Sequence, residues 1–146
     1  MPKVVAVHNV CAGKNHPRRN AAEPYERHNI NSNLKLASGY QFRYQELKEA
    51  GVNLCIGTDG AASSNNLDIL EAMKTSAIVQ KAWRKNPAAM PISELMQMAT
   101  VNGANALGIK SGKIEEGYLA DINIVNINAR TNLVIVRSYH SICSDH

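Results

Sequence analysis

The sequence has 146 residues, 45% of them hydrophobic and 19% charged, with a single Trp and a single Phe. That is enough chain for one domain with a real core, filled by aliphatic side chains and Met. The net charge of +4 raises a nucleic-acid partner, but the basic residues are neither gathered on one helix nor interleaved with aromatics, so that partner is not expected.

The densest basic group, "GKNHPRR" at 13–19, contains a proline and reads as a solvated loop. Cys11, Cys55 and Cys143 form no CxxC pair, and Cys55 lies inside an apolar run. That usage fits a reducing compartment, and a cytoplasmic location is expected. The N-terminus lacks the pattern of a signal peptide. No apolar run approaches the ~20 residues of a membrane span, so no membrane partner is expected.

In chain order, "KVVAV" (3–7) predicts a short buried strand ending at His8. Residues 9–27 hold two prolines and no helical or strand period, and read as a long loop. Residues 28–41, Asn-rich with spaced Leu, read as a structured loop that His28 begins, with Asn31, Ser32 and Asn33 bonding locally. "FRYQELKEA" (42–50) predicts a short helix stopped by Gly51. "VNLCI" (52–56) predicts a strand covered on both faces.

The run then breaks into "GTDGAASSNN" (57–66). An ordinary turn could be written this way, and so could the end of a barrel strand holding out one acid, Asp59. Asn66 is the expected N-cap of a helix over 67–85, with an apolar stripe of Ile69, Leu70, Met73, Ala77, Ile78 and Trp83, ended by Asn86-Pro87. Residues 92–100 and 101–107 predict two more helices, the second closed by Gly108. Met73, Met90, Met96 and Met98 are expected as core filler. Residues 111–127 alternate and carry glycines, which predicts a hairpin or two short strands. The tail after about residue 130 has no clear pattern, and His16, His140 and His146 read as surface or tail residues.

Helix, buried strand, polar loop and helix form the unit of an α/β protein with a parallel sheet. Ligands gather at the carboxyl ends of such strands. His8 and Asp59 stand at two such ends. Glycines at 57 and 60 lack a GxGxxG or GK[ST] context, so no phosphate-binding loop is expected. The H-x-E with P-C-x-x-C deaminase pattern is also absent.

"HNINSNLKLASG", "GVNLCIGTDGAASSNNLDILEAMKTSAIVQKAW" and "MATVNGANALGI…GKIEEGYLADINIVN" closely resemble the C-terminal part of the metal-dependent amidohydrolase superfamily. The nearest branch is the 5-methylthioadenosine/S-adenosylhomocysteine deaminases and their chlorohydrolase relatives. The resemblance covers residues 28–128 almost continuously. It implies a partial (β/α)8 TIM barrel, about strands six to eight with their helices, over residues 1–110. Residues 111–146 would be the return into a small β-sandwich, followed by an irregular tail.

The same resemblance implies the chemistry. A divalent ion, zinc or iron, binds a water and lowers its pKa to ~7. Asp59, after strand eight, would be both metal ligand and proton-transfer group, acting as base and then acid. His8, ending strand six, would orient the water or polarise the substrate. His28 and Asn33 would be substrate-side or structural. The reaction would be hydrolytic release of ammonia from a purine-like or other heteroaromatic small molecule.

Two features depart from the family. A metal site takes about three or four protein ligands, and the sequence contains no His-x-His. Residues 9–27 have the family's spacing but not its apolar strand seven. The sequence therefore reads as the last third of a longer enzyme. The runner-up reading is an inactive remnant or assembly piece, and a basic nucleic-acid-binding domain is a third. Open barrel edges predict self-association.

Overall fold

The structure, a computed structural model, describes residues 5–7 and 25–124. Three strands, β1 (Val5–Val7), β2 (Tyr25–His28) and β3 (Asn53–Ile56), form one parallel sheet in the order β1-β2-β3. Tyr25 pairs with Val5 on one side and Asn53 on the other, and the register runs on to His28 opposite Ile56. The α/β reading and the two apolar strands therefore hold.

β2 corrects the reading of residues 9–27 as loop throughout. Its sequence, YERH, carries almost no strand signal. It is a strand because it lies between two apolar neighbours that both pair with it, and pairing overrides propensity. A polar strand therefore lies where only loop was expected. His28 accordingly ends a strand and does not begin a loop.

Between β2 and β3 lie α1 (Ile30–Lys35) and α2 (Tyr44–Glu49). α1 was expected as loop. Its Asn residues obscured a short helix whose inward face is Ile30 and Asn33. α2 matches expectation, and Gly51 takes the left-handed φ of 76° that stops it.

After β3 comes α3 (Ala61–Ser64), a short helix where only loop was expected, then α4 (Ile69–Arg84), α5 (Ile92–Ala99) and α6 (Val101–Leu107). The N-cap of α4 is Asp68, not Asn66. The Asp68 carboxylate accepts from Leu70 N–H at 2.8 Å and Glu71 N–H at 3.1 Å. Asn66 donates to the Glu71 carboxylate instead. Asn65, in the left-handed conformation, closes α3 and shifts the start of α4 beyond Asn66.

The buried face of α4 is Ala72, Met73, Ser76, Ala77 and Gln80. Ile78 is 52% exposed, which corrects the predicted stripe. Gln80 turns inward because its side-chain N–H donates to the buried Phe42 carbonyl at 2.6 Å. Its Oε1 accepts from Arg84 Nε at 3.0 Å.

The core gathers Ile30, Phe42, Tyr44, Leu54, Ile56, Met73, Leu95 and Met98. Met90 is fully buried there, with its N–H donating to the Tyr44 hydroxyl at 2.7 Å. Met96 is 47% exposed, so the methionine set is core filler in three of its four members. Gly108 closes α6 with φ 72°. Residues 111–124 contain turns but no strand, so the predicted hairpin does not form over them. Ile114, Leu119, Ile122 and Ile124 are exposed there. Residues 125–127 and the tail lie outside the described residues. No helix among those described is long and apolar enough to cross a membrane.

Candidate active site

At the carboxyl end of β3 the chain turns sharply. Gly57 N–H donates to the His28 carbonyl at 3.0 Å, extending the β2–β3 ladder by one bond. Two residues later Asp59 adopts φ 62°. This left-handed conformation costs most side chains ~1–2 kcal/mol, and Asp tolerates it better than most. It puts the carboxylate at the end of the strand, where the Ser32 hydroxyl donates to Asp59 Oδ2 at 2.7 Å. Ser32 comes from α1 and is fully buried. It bonds across the sheet end and not locally, as the loop reading would have it.

Asp59 lines a cavity of about 570 Å³ with Arg27, Cys55, Thr58, Leu67, Ile69 and Leu107 among its other walls. Apolar walls with a few convergent polar groups are the usual make-up of a small-molecule site. Cys55 is buried.

His28 is 2% exposed and stacks on Phe42, ring centroids 4.1 Å apart and planes within 6°. Among the described residues, neither imidazole nitrogen has a hydrogen-bond partner. Burial lowers its pKa from 6.5 to about 3, because a charged ring would lose its hydration. The ring is neutral at pH 7. His28 and Asp59 end neighbouring strands, but their side chains occupy different surroundings: Phe42 for one, the cavity for the other.

Asn33 is 1% exposed. Its carbonyl accepts from Ser38 N–H at 3.0 Å and its Oδ1 from the Ser38 hydroxyl at 3.4 Å, which fastens the turn after α1. His8 and the basic group at 13–19 lie outside the described residues, as do Cys11 and Cys143.

Arg27 and Asn29, missed in the sequence, also belong to this end of the sheet, as does Ser32, which was expected to bond only locally. All fall in segments read as loop, and a helix–strand reading of 25–35 is the signal that would have grouped them. As for a metal, Asp59 is a hard oxygen donor of the right kind. Among the described residues no group of three His, Cys, Asp or Glu side chains could hold an ion. The described residues thus fit one ligand and do not complete a set.

The family model for the amidohydrolase family matches residues 2–139. The chain is 53% identical over 96 residues to 5-methylthioadenosine/S-adenosylhomocysteine deaminase 1 of Archaeoglobus fulgidus, covering 66% of this chain and 23% of that protein. It is 41% identical over 142 residues to the 5-methylthioadenosine/S-adenosylhomocysteine deaminase of Pyrococcus furiosus, covering 91% of this chain and 34% of that protein. A solved adenosine deaminase from Xanthomonas campestris with bound zinc superposes with a TM-score of 0.68 at 41% identity, over 74% of this chain and 25% of its own. The chain therefore spans about a quarter to a third of the length of the proteins it matches.

Proposed function

The chain belongs to the amidohydrolase family, and on that premise we propose that it carries part of the catalytic barrel of a metal-dependent aminohydrolase. The three parallel strands correspond in this reading to barrel strands six to eight, within residues 1–110, and residues 111–146 to the β-sandwich return and tail. The substrate is a purine-like or other heteroaromatic amine, and the relatives' names point to adenosine-type nucleosides.

The observation that carries this reading is the placement of Asp59. It stands just past the carboxyl end of β3, in a left-handed turn, tethered by Ser32 and lining a cavity. Zinc or iron, when bound with Asp59 as one ligand, acidifies a water at the site. The carboxylate keeps one oxygen for proton transfer. Asp59 takes a proton from the attacking water as the new C–O bond forms. It then gives that proton to the amine nitrogen as the C–N bond breaks and ammonia leaves. His8, the residue after β1 in the sequence, serves the same reaction in this reading, orienting the water or polarising the ring. His28 and Asn33 shape the substrate side or hold the loop.

The test is ammonia release from adenosine, 5-methylthioadenosine and 5'-deoxyadenosine, with zinc or iron supplied. Asp59→Asn should lower the rate by about 10²–10⁴. An unchanged rate refutes the role of Asp59.

The incomplete ligand group among the described residues favours one second reading, an inactive remnant or assembly piece. Metal analysis finding no bound ion, with no ammonia released, would select it. β1 and β3 are the sheet's outer strands. Asn102 covers one carbonyl of β3, donating to Leu54 at 2.8 Å. Self-association through these edges is proposed, and a clean monomer at sedimentation equilibrium refutes it.

A further inference from the structure

We infer that Gly103 and Gly60 set the size of ligand that the Asp59 cavity admits, leaving room for an apolar substituent on a ring whose amine reacts at Asp59. The inference rests on the cavity being the substrate site. It adds the residues that select among substrates, which neither the matches nor the proposed reaction assigns.

A glycine in a folded chain ordinarily answers one of two internal demands. Either the backbone needs a positive φ, or a Cβ would strike a neighbour. Gly39, Gly51, Gly108, Gly112 and Gly117 take positive φ. Gly57 is closed in, since a Cβ there would lie 2.7 Å from Asn29 Oδ1 and 2.8 Å from Arg27 Cδ. The remaining glycines among the described residues, Gly60 and Gly103, meet neither demand. Beyond its own stretch of chain, a Cβ at either would meet no atom of the described residues within 4 Å. Both line the Asp59 cavity.

Local structure gives no better reason for them. Gly103 lies within α6, where glycine is a poorer helix former than any residue but proline. Gly60 is the N-cap of α3, with φ −74°, a place that Ser, Asn or Asp fills at least as well. A larger residue at either position would suit the local structure. It would also fill the cavity.

The two glycines stand on different walls. Gly103, Ala106 and Leu107 are spaced i, i+3 and i+4, so they share one face of α6, and all three line the cavity. With Leu67 and Ile69 they make that wall apolar. Gly60 follows Asp59 directly, and without a side chain there the backbone can come against the ligand. The reacting amine belongs beside the carboxylate. The apolar wall, opened at Gly103, then takes the rest of the ligand.

The experiment is calorimetric titration of the full chain, without added metal, with two probes of different size. These are adenine and 5-methylthioadenosine, which carries the same ring with an added substituent. Wild type, Gly103→Ala, Gly103→Leu, Gly60→Ser and the control Gly51→Ala are compared, each also by urea melt. Wild type should bind 5-methylthioadenosine and, more weakly, adenine. Gly103→Leu should weaken 5-methylthioadenosine by about tenfold or more and adenine far less. Gly103→Ala and Gly60→Ser should weaken it by a smaller factor while holding or raising the urea midpoint. Gly51→Ala should lower the midpoint, because position 51 takes φ 76°, and leave both affinities unchanged. A glycine of purely structural role behaves like Gly51, so stability and binding moving in opposite directions at 103 is the signature. Unchanged 5-methylthioadenosine affinity in Gly103→Leu, an equal loss of both probes, or a lowered midpoint in Gly103→Ala overturns the inference and leaves the deaminase reading standing. If wild type fails to bind 5-methylthioadenosine, the cavity is not the substrate site, and the inference falls with that reading. Should circular dichroism show Gly103→Leu unfolded, Gly103→Ala decides by the same criteria.

Discussion

In the helical body, polar groups that enter the interior mostly arrive with partners. Gln80 spans from Arg84 to the Phe42 carbonyl, and Tyr44 receives the Met90 N–H. Asp68 satisfies two N–H groups at the start of α4. Ser76 Oγ is the exception on that helix. At the carboxyl end of the sheet, by contrast, Arg27, His28 and Asn29 in succession bury nitrogen and oxygen atoms with none. The first region is arranged for stability. The second leaves such atoms unpaired at the end of the sheet where the proposed site lies, a departure from local consistency of the kind functional sites show.

The sharpest way to break this comparison is to mutate one residue on each side. Asp59→Asn is expected to cost 10²–10⁴ in ammonia release while moving the urea midpoint little. Leu95→Ala should do the reverse. Leu95 is fully buried, and its truncation should lower unfolding free energy by about 2–5 kcal/mol in urea titration. If Asp59→Asn unfolds the chain, or Leu95→Ala leaves the midpoint unchanged, the division between the two regions fails.

His28 provides a test by pH. Its ring stays neutral in the fold down to about pH 3, but in the unfolded chain it takes a proton below about 6.5. The unfolded state binds the extra proton across that window. Its contribution to stability is therefore complete above about pH 6.5 and is lost as the pH falls toward 3, at up to about 1.4 kcal/mol per pH unit. His28→Phe keeps the stack on Phe42 and removes the titrating group, so it should flatten that slope. It should also hold or raise stability at pH 7, because two unpaired nitrogens disappear. Equal slopes in the two proteins would mean that the ring is not buried as described.

The smallest effect belongs to a cap. Asp68→Ala should lower stability by about 1 kcal/mol. Asn66→Ala should change it less, since Asn66 is not the cap. The reverse order, read from thermal or urea melts, would restore Asn66 to that role.

Much of the helical body was legible. Amphipathic spacing placed α2, α4, α5 and α6, and the apolar run placed β3, because these elements bury a face and a buried face leaves a period. The proposed site was legible only in part. Asp59 drew attention as a carboxylate after an apolar strand, and the family resemblance gave it a role that the pattern alone left open. Arg27, Asn29 and Ser32 did not, because β2 and α1 carry polar sequences with no period to read. The predicted strand over 111–124 failed for a related reason. Alternation describes a face, but a strand also needs a neighbour to pair with, and none of the described residues pairs there.

The amino-acid order by itself determined the α/β character, the helices that pack on one another, and the acid that ends the third strand, since each of these rests on local pattern or on a single residue type. Tertiary structure decided the rest. It made a strand of a polar tetrapeptide by flanking it on both sides. It moved a helix cap by two residues, and it brought a serine 27 positions away onto the carboxylate. It also drew an arginine and an asparagine together over a glycine. Those outcomes depend on contacts between distant segments, and the free energy of such contacts is not written in any one of them.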